Sequence, residues 1–290
     1  VGKLIEEFLH VAFKAHPYRH PTIGWLSDLQ SMTREDLYGY YRRYYIPNNA
    51  TLVVVGDVDT DDVLRRAERQ FGAIQPGAAV PRQTTIEPEQ TGERRLAIRK
   101  EGTTAYLKVG YHAPAAIDRM FFPALLLDVV LTGAKGVNLW TSFRVSPPQR
   151  KARIYRALVE TGLASSVFGQ MIPTAQPFLY TISATATEGT SLATVEAALL
   201  EELHRVQQSG ITPDELARAR AQLQARLIFD NDSVTNIAHQ LGYFETIAGV
   251  DVFSGLDRGI ETVSLEQVNE AARTLLVESN RTVGWFGPVP

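Results

Sequence analysis

An internal repeat at an offset of 231 residues constrains the fold of this 290-residue chain more than any other feature. The two copies align without a gap, so that Thr33 falls on Ser264 and Asn49 falls on Asn280. Serine and threonine favour helix N-caps, and asparagine favours turns. The copies therefore agree in their helix caps and turn residues as well as in their apolar residues. Self-similarity at a fixed period indicates duplicated structure. We therefore expect a chain built from two related units.

The two copies differ in how much of each the sequence contains. The segment from about 75 to 93 is rich in proline and shows no periodicity, which indicates a linker. The second copy begins near residue 93, and its counterpart in the first copy would begin about 140 residues before Val1. We therefore expect residues 1–77 to be the C-terminal part of a first domain, 78–92 to be the linker and 93–290 to be a complete second domain. On this interpretation Val1 is a cut edge.

Local patterns predict a mixture of helices and strands. Residues 51–56 are apolar on both faces, which predicts a buried strand. Residues 94–100 and 105–112 predict two strands joined as a hairpin at Gly102. The fold class is therefore α+β, with an antiparallel-rich sheet and helices packed on one face. Helices are expected to begin after polar caps at Thr33, Asp59 or Thr60, Ser191, Thr212, Ser233 and Ser264.

Composition excludes several classes of function. The net charge of -3 and the pI near 6.1 remove any general electrostatic reason to bind nucleic acid. The absence of cysteine excludes disulfides, thiolate metal sites and a cysteine nucleophile. No run of about 18 uncharged apolar residues occurs, so no membrane span is expected.

Two pairs of residues have the spacing of metal ligands. His16 and His20 lie four residues apart, but Pro17 and Pro21 prevent the helix that would place them on one face. Glu7-x-x-His10 resembles half of a di-metal site, which needs two such pairs and two more glutamates. Both pairs are therefore interpreted as structural.

The remaining candidates also favour structural roles. Asp230 and Asp232 are interpreted as a turn between helices, and His239 as a packed or capping histidine. For Trp140 and Phe143 packing is favoured over contact with a partner or peptide. Structural roles are likewise expected for His112 at a strand end, for His204 on a solvated face with Glu201, Glu202 and Arg205, and for Gly133 and Gly136 in a flexible loop.

Four segments resemble, in their order and spacing, the insulinase/pitrilysin family of zinc peptidases. They are Ala15-His16-Pro17-Tyr18, the stretch from Tyr44 to Val58, Arg153-Ile154-Tyr155-Arg156-Ala157-Leu158 and Thr181-Ile182-Ser183-Ala184-Thr185-Ala186. The family includes the mitochondrial processing peptidase and many bacterial putative zinc proteases. The resemblance covers essentially the whole chain and implies the metallohydrolase fold of the mitochondrial processing peptidase type, in tandem copies.

The zinc motif of the family, His-x-x-Glu-His with a further glutamate on a later helix, is absent from this sequence. The repeat implies that the motif lies upstream of Val1, in the part of the first copy that the sequence does not contain. Glu6 and Glu7 lie on what resembles the helix after the third ligand. We therefore expect no metal ligand and no cofactor in this chain, and zinc in the full-length family protein.

A second family feature is an arginine and a tyrosine seven residues apart, which help to hold substrate in the half that lacks zinc. The matching positions here are Leu158 and Ser165. This difference argues against the arginine/tyrosine partner subunit and favours the second domain of a zinc-bearing half. No catalytic residue is assigned, and the substrate-binding residues stay unknown.

The resulting hypothesis is part of a zinc-dependent metalloendopeptidase that hydrolyses peptides or small proteins inside a closed chamber, and this chain is expected to be inactive alone. One alternative is a non-catalytic family member that serves as a structural or peptide-binding subunit, and another is an unrelated α/β binding domain. The expected partners are a peptide or unfolded protein and a second family half, as a homodimer or heterodimer. We expect a soluble protein of the bacterial cytoplasm or periplasm.

Overall fold

The structure is a computed structural model and describes residues 2–137 and 149–289. Trp140 and Phe143 lie outside the described residues. The helices are α1 (Gly2–Ala12), α2 (Leu26–Ser31), α3 (Arg34–Tyr44), α4 (Thr60–Phe71), α5 (Phe121–Thr132), α6 (Leu192–Ser209), α7 (Pro213–Asp230), α8 (Val234–Ile247), α9 (Val250–Ser254), α10 (Leu256–Thr262) and α11 (Leu265–Leu275). The strands are β1 (Arg94–Glu101), β2 (Tyr106–Ala113), β3 (Ala164–Met171), β4 (Phe178–Ala186) and β5 (Arg281–Val289). Among these helices, none is long and apolar enough to cross a membrane.

Polar caps fix the starts of the helices where the sequence predicts them. The Thr33 hydroxyl accepts the N–H of Asp36 at 3.2 Å, and the Asp36 carboxylate accepts the N–H of Thr33 at 2.9 Å. Ser264 and Gln267 form the same capping box at the start of α11, with distances of 3.2 and 2.8 Å. Each box satisfies two backbone groups that would otherwise lack partners, which is why helix begins there.

The five strands form one sheet in the order β1-β5-β2-β4-β3. The pairs β5-β2, β2-β4 and β4-β3 are antiparallel, whereas β1 and β5 are parallel. The predicted hairpin at Gly102 is therefore wrong, because β5 lies between β1 and β2. A local turn signal carries no information about a third strand that arrives from far along the sequence.

The main core lies between one face of the sheet and the helices α5, α6, α7, α10 and α11. Its strand residues alternate, with Leu107 and Val109 of β2 facing the helices. This arrangement confirms the predicted α+β class and the antiparallel-rich sheet, with these five helices packed on one face. A smaller cluster on the opposite face contains Phe8 and Ala12 of α1, so α1 covers the side of the sheet away from the other helices.

Residues 51–56 form no strand, so this prediction is wrong. Leu52 is 60% exposed and Val54 is 47% exposed. The apolar pattern is that of a buried strand, yet no described segment hydrogen-bonds to this one as a neighbouring strand. A strand needs such a neighbour because its backbone hydrogen bonds are made to another segment.

The elements of the first copy recur in the second at the offset found in the sequence. Helix α3 corresponds residue by residue to α11, and the 3₁₀ turn Pro47–Asn49 corresponds to the turn Glu278–Asn280. The side-chain amide of Asn49 donates to the Tyr44 carbonyl at 2.9 Å, and that of Asn280 donates to the Leu275 carbonyl at 3.0 Å. The sequence repeat is thus reproduced down to individual hydrogen bonds.

Candidate functional site

Helix α1 is seated on the sheet through a close approach that requires two glycines. The Phe8 ring is fully buried over Gly110 of β2 and Gly284 of β5. A Cβ atom on Gly110 would lie 2.9 Å from this ring, and one on Gly284 would lie 2.8 Å from it. Any larger residue at either position would force α1 away from the sheet. This contact therefore fixes where the N-terminal unit meets the C-terminal one.

An aromatic cluster continues this contact beyond the end of α1. The Phe13 ring stacks on Phe178 at 5.7 Å between centroids and meets the His112 ring edge-on at 5.0 Å. A ring nitrogen of His112, Nε2, lies 3.0 Å from the carbonyl oxygen of Ala12. Burial lowers the pKa of His112, against the opposing effect of Glu87. His112 is therefore a partly buried bridge between the end of α1 and the sheet.

Glu87, in the segment predicted to be a linker, is a residue that sequence reasoning missed. The Glu87 carboxylate accepts the backbone N–H groups of Lys14, Ala15 and His16 at 2.6, 2.8 and 2.9 Å. Burial would raise the pKa of Glu87, but these three hydrogen bonds outweigh it and the pKa is lowered. The ionised carboxylate thus anchors the linker to the chain after α1. The only sequence signal is a glutamate among prolines.

His16 and His20 have different surroundings. His16 is buried, its Nδ1 accepts the N–H of Tyr18 at 3.2 Å, and burial lowers its pKa. His20 is exposed, and its Nδ1 lies 3.4 Å from the indole nitrogen of Trp25. The structure therefore gives the two imidazoles separate structural contacts rather than a shared one.

The two metal-ligand candidates on α1, Glu7 and His10, each contact a basic side chain. Glu7 pairs with Lys3 at 2.7 Å, one turn away on the same helix. His10 lies 3.2 Å from the guanidinium of Arg19 and contacts the ring of Trp25 edge-on. A cation beside His10 does not suit a metal ligand.

The other candidates fall on helix ends and helix faces. Asp230 is buried at the end of α7, where it pairs with Arg226 at 3.0 Å. Asp232 accepts the side-chain amide of Asn236 at 2.7 Å in the following turn. His204 is exposed, as expected. Glu202, which was expected on the same solvated face, is instead buried and pairs with Arg153 at 3.4 Å, so that expectation is wrong.

The positions that match the arginine and tyrosine of the family carry no comparable chemistry. Leu158 is fully buried in the main core, at a short π-helical turn (Tyr155–Val159). Ser165 is exposed on the edge strand β3. Over residues 2–137 and 149–289, no group of three or more His, Cys, Asp or Glu side chains could hold a metal ion.

A second contact between the units is formed by α8. This helix borders a groove whose other wall is the segment 51–55, and Gly242 of α8 lies nearest to Val53. His239 is exposed and lines the same groove. Under the repeat, α8 is the counterpart of α1, and segment 51–55 is the counterpart of β5. Each unit thus places a helix against the corresponding segment of the other.

A sequence profile described as "Peptidase M16 inactive domain" matches residues 31–223, which is more than half of the chain. The chain belongs to the peptidase M16 family. This result confirms the resemblance to the insulinase/pitrilysin zinc peptidases. The matched part of the M16 chain begins before α3, passes through the linker and ends within α7.

Curated relatives carry zinc protease names. The chain is 24% identical over 243 residues to the zinc protease PqqE of Helicobacter pylori, covering 82% of this chain and 51% of that protein. It is 24% identical over 252 residues to the probable mitochondrial-processing peptidase subunit beta of Schizosaccharomyces pombe, covering 83% and 52%. The M16 chain therefore spans about half the length of these relatives. Zinc is the metal expected in this family.

A solved structure supports the same fold assignment. The crystal structure of a protease from Helicobacter pylori superposes with a TM-score of 0.87 over 99% of this chain and 67% of that one. The sequence identity is 19%, so the likeness establishes the fold alone. The expected metallohydrolase fold is confirmed.

Proposed function

We propose that this M16 chain forms the non-catalytic side of a zinc-dependent metalloendopeptidase. In this proposal residues 93–290 are a complete domain that walls the substrate chamber. Residues 1–77 are the C-terminal part of a zinc-bearing domain, and residues 78–92 link the two. The observation that carries the proposal is a surface of α3 and residues 50–58 that repeats, position by position, a surface buried in the second unit.

Helix α3 exposes the apolar residues that its counterpart buries. Leu37 is 58% exposed, whereas Val268, at the same place in α11, is fully buried. Tyr41 is likewise exposed, and its counterpart Ala272 is buried. Exposed apolar groups in such a cluster mark a surface that another structure covers. The repeat supports the interpretation that this exposed surface packs against a sheet and helices with the same architecture as residues 94–227.

The segment 50–58 supports the same conclusion from the backbone. Its counterpart β5 has a parallel neighbour on one side and an antiparallel neighbour on the other. Leu52 is 60% exposed, while its counterpart Val283 is 1% exposed. A partner sheet that offers one parallel and one antiparallel strand would bury Leu52 and satisfy the backbone groups of this segment.

The catalytic chemistry is assigned outside this chain. In the full-length family protein, zinc would supply a water of lowered pKa for the hydrolysis of a peptide bond. The described residues do not fit a zinc site, since they contain no suitable group of ligands. The chain's own contribution is positional: α1, seated by Phe8 on the second sheet, and Glu87, bound by the amides that follow α1, hold the two units in a fixed relation.

Metal content and activity of the 290-residue chain test this division of labour. We expect elemental mass spectrometry to detect no stoichiometric zinc on this chain. We also expect no hydrolysis of fluorogenic peptides, because the zinc ligands are expected outside the chain. One tightly bound zinc equivalent on this chain would contradict the proposal. The reading frame upstream of the Val1 codon supplies the second test: we expect it to encode His-x-x-Glu-His followed by a glutamate on a helix.

The alternative function is a non-catalytic subunit that binds peptide or stabilises an assembly. It is favoured by the relative named as a subunit of the mitochondrial-processing peptidase. An upstream frame without His-x-x-Glu-His would decide for this alternative. In either case we propose a partner half of the same family, in the bacterial cytoplasm or periplasm.

A further inference from the structure

The ammonium group of Lys108 on β2 has no acidic partner among the residues that the structure describes. Its Nζ lies 3.2 Å from the hydroxyl oxygens of both Thr181 and Ser183 on β4 and 5.7 Å from the centre of the Phe8 ring. Burial lowers its pKa to about 8, and no charged neighbour contributes to the shift. The group therefore stays mainly protonated at neutral pH. A partly buried cation without an acidic partner is costly, which makes this position unusual.

A second unsatisfied donor lies on the next strand. The side-chain nitrogen of Gln170 on β3 is buried and has no hydrogen-bond partner within residues 2–137 and 149–289. Gln170 is directly opposite Thr181 in the register of β3 and β4. Residues directly opposite each other project from the same face of a sheet, so the Gln170 amide and the Lys108 ammonium belong to one surface.

The hydroxyl groups between these two residues add further donors. Thr181 and Ser183 accept hydrogen bonds from Lys108, and neither hydroxyl donates to another described residue. The surface therefore offers an ammonium, two hydroxyls and a primary amide, all able to donate. A carboxylate accepts up to about four hydrogen bonds and carries the compensating charge. The donor set thus matches a carboxylate better than it matches a neutral ligand.

The surface is open on the side of β3. Helix α1 closes the other side through Phe8, whereas Ser166 and Phe168 of β3 are exposed on the same face, the latter by 41%. Lys108, Ser183 and Gln170 are partly exposed and Thr181 is buried, so an extended chain lying across the exposed part of β3 would reach these donors from that side. This surface differs from the enclosed pockets that small molecules favour.

We propose that Lys108, Thr181, Ser183 and Gln170 bind a carboxylate of a peptide lying across the open face of the second sheet. The inference rests on the proposed function for the identity of the ligand as a peptide. The carboxylate has two sources, an acidic side chain or the C-terminus of the peptide, and both present the same group. The site would give the non-catalytic domain a preference among substrates.

Nuclear magnetic resonance of the Lys108 side chain tests the carboxylate alone. The 290-residue chain is prepared with ¹³C,¹⁵N-lysine, and Lys108→Met identifies the resonance. Titration with N-acetylglutamate amide, for the side chain, or N-acetylglycine, for the C-terminus, is expected to raise the pKa of Lys108 by roughly one unit, because an anion favours the charged form. If neither carboxylate moves the Lys108 resonance or its pKa, the inference is wrong, whatever peptides do elsewhere on the protein.

Peptide affinity then tests the role of the site. Fluorescent peptides are compared by anisotropy, with an internal Glu or Gln and with a free or amidated C-terminus. Lys108→Met should weaken the acid-bearing peptides about ten-fold or more and leave the neutral peptide unchanged, since a hydrogen bond to a charged group is lost. Lys100→Met, which removes an exposed lysine from the edge strand β1, is the matched control.

The outcomes separate the inference from the proposed function. Equal binding of acidic and neutral peptides to the unmodified chain would overturn the inference and leave the peptide-binding role intact. A response of Lys108 to the small carboxylates, with no peptide bound at all, would retain the site and overturn the peptide-holding role. Lys108→Met is expected to unfold at a higher temperature than the unmodified chain, because a partly buried charge is replaced by an apolar group. Gln170→Leu, which should give a smaller loss of affinity, provides a second variant.

Discussion

Helix α3 with residues 50–58, and α11 with β5, are two versions of one sequence pattern in different environments. Both helices begin at a capping box, and both turns are closed by an asparagine amide. The second version is buried, while Leu37, Tyr41 and Leu52 of the first are exposed. The comparison shows that local sequence selects the element, whereas its burial depends on what packs against it.

The helix and the strand respond differently to the loss of neighbours. Helix α3 keeps its full length without a buried residue, because its backbone hydrogen bonds are internal and its caps are local. Residues 51–56 are not a strand, although their counterparts in β5 are, because the backbone bonds of a strand belong to two segments. The same sequence repeat therefore gives identical helices and unlike strands.

The largest difference is expected from a matched pair of apolar truncations. Ile260 of α10 is fully buried, and Leu29 of α2, its counterpart, is 43% exposed. Ile260→Ala should lower the free energy of unfolding by about 3 kcal/mol, because it leaves a cavity in the core. Leu29→Ala should change it by less than about 0.5 kcal/mol. Urea denaturation followed by circular dichroism measures both, and equal losses would break the comparison.

The next difference concerns the carboxylates of two capping boxes. Glu215 at the start of α7 forms a bidentate pair with Arg153, at 2.7 Å for both bonds. Although burial opposes the shift, this pair lowers the pKa of Glu215 to about 2. The pair thus stabilises the fold above the ordinary pKa of glutamate, and the stabilisation is lost as the pH falls towards 2.

Glu215→Gln should therefore cost on the order of 2 kcal/mol near neutral pH and almost nothing near pH 2. Asp36→Asn is the matched control, because hydrogen bonds from Thr33 also lower the pKa of Asp36, but this group is fully exposed. We expect the same sign and a smaller effect. Thermal unfolding measured from pH 2 to pH 7 gives both profiles, and a Glu215→Gln penalty that persists at low pH would contradict the assignment.

The smallest difference is expected from the turn asparagines. Asn280 bonds to the Leu275 carbonyl, as Asn49 does to that of Tyr44, and it also bonds to both backbone groups of His112 at 3.0 and 3.2 Å. Asn280→Ala should cost about 2 kcal/mol, and Asn49→Ala about 0.5 kcal/mol. Differential scanning calorimetry of the two variants resolves the order. If Asn49→Ala destabilised the protein as much as Asn280→Ala, Asn49 would have to make a further contact with another part of the protein.

Much of the fold follows from local signals in the sequence. The capped helices α3, α6, α7 and α11 begin at the residues that caps predict, and β1 and β2 follow from alternation. The position of β5 between β1 and β2 does not follow, since pairing between distant segments leaves no mark in a local window. The failure at residues 51–56 has the same origin, because the pattern of a strand does not reveal whether its neighbours are present.

The candidate sites were less accessible to sequence reasoning. Lys108 reads as an ordinary polar residue in an alternating strand, and only the placement of Phe8 from α1 shows that it is partly buried. Glu87 lies in a linker without periodicity, yet it binds three backbone amides. The surroundings of both residues are set by contacts with segments distant in sequence, which a single stretch of sequence does not encode.

The position of β5 between β1 and β2 has a consequence for how the protein folds during synthesis. Strand β1 leaves the ribosome early, but its only neighbour in the described sheet is β5, which is made after every other strand. Strand β1 must therefore wait, unpaired, until nearly two hundred further residues have been translated. Completion of this sheet therefore depends on the last of its five strands to be synthesised, and until then β1 presents unpaired backbone groups on both of its edges.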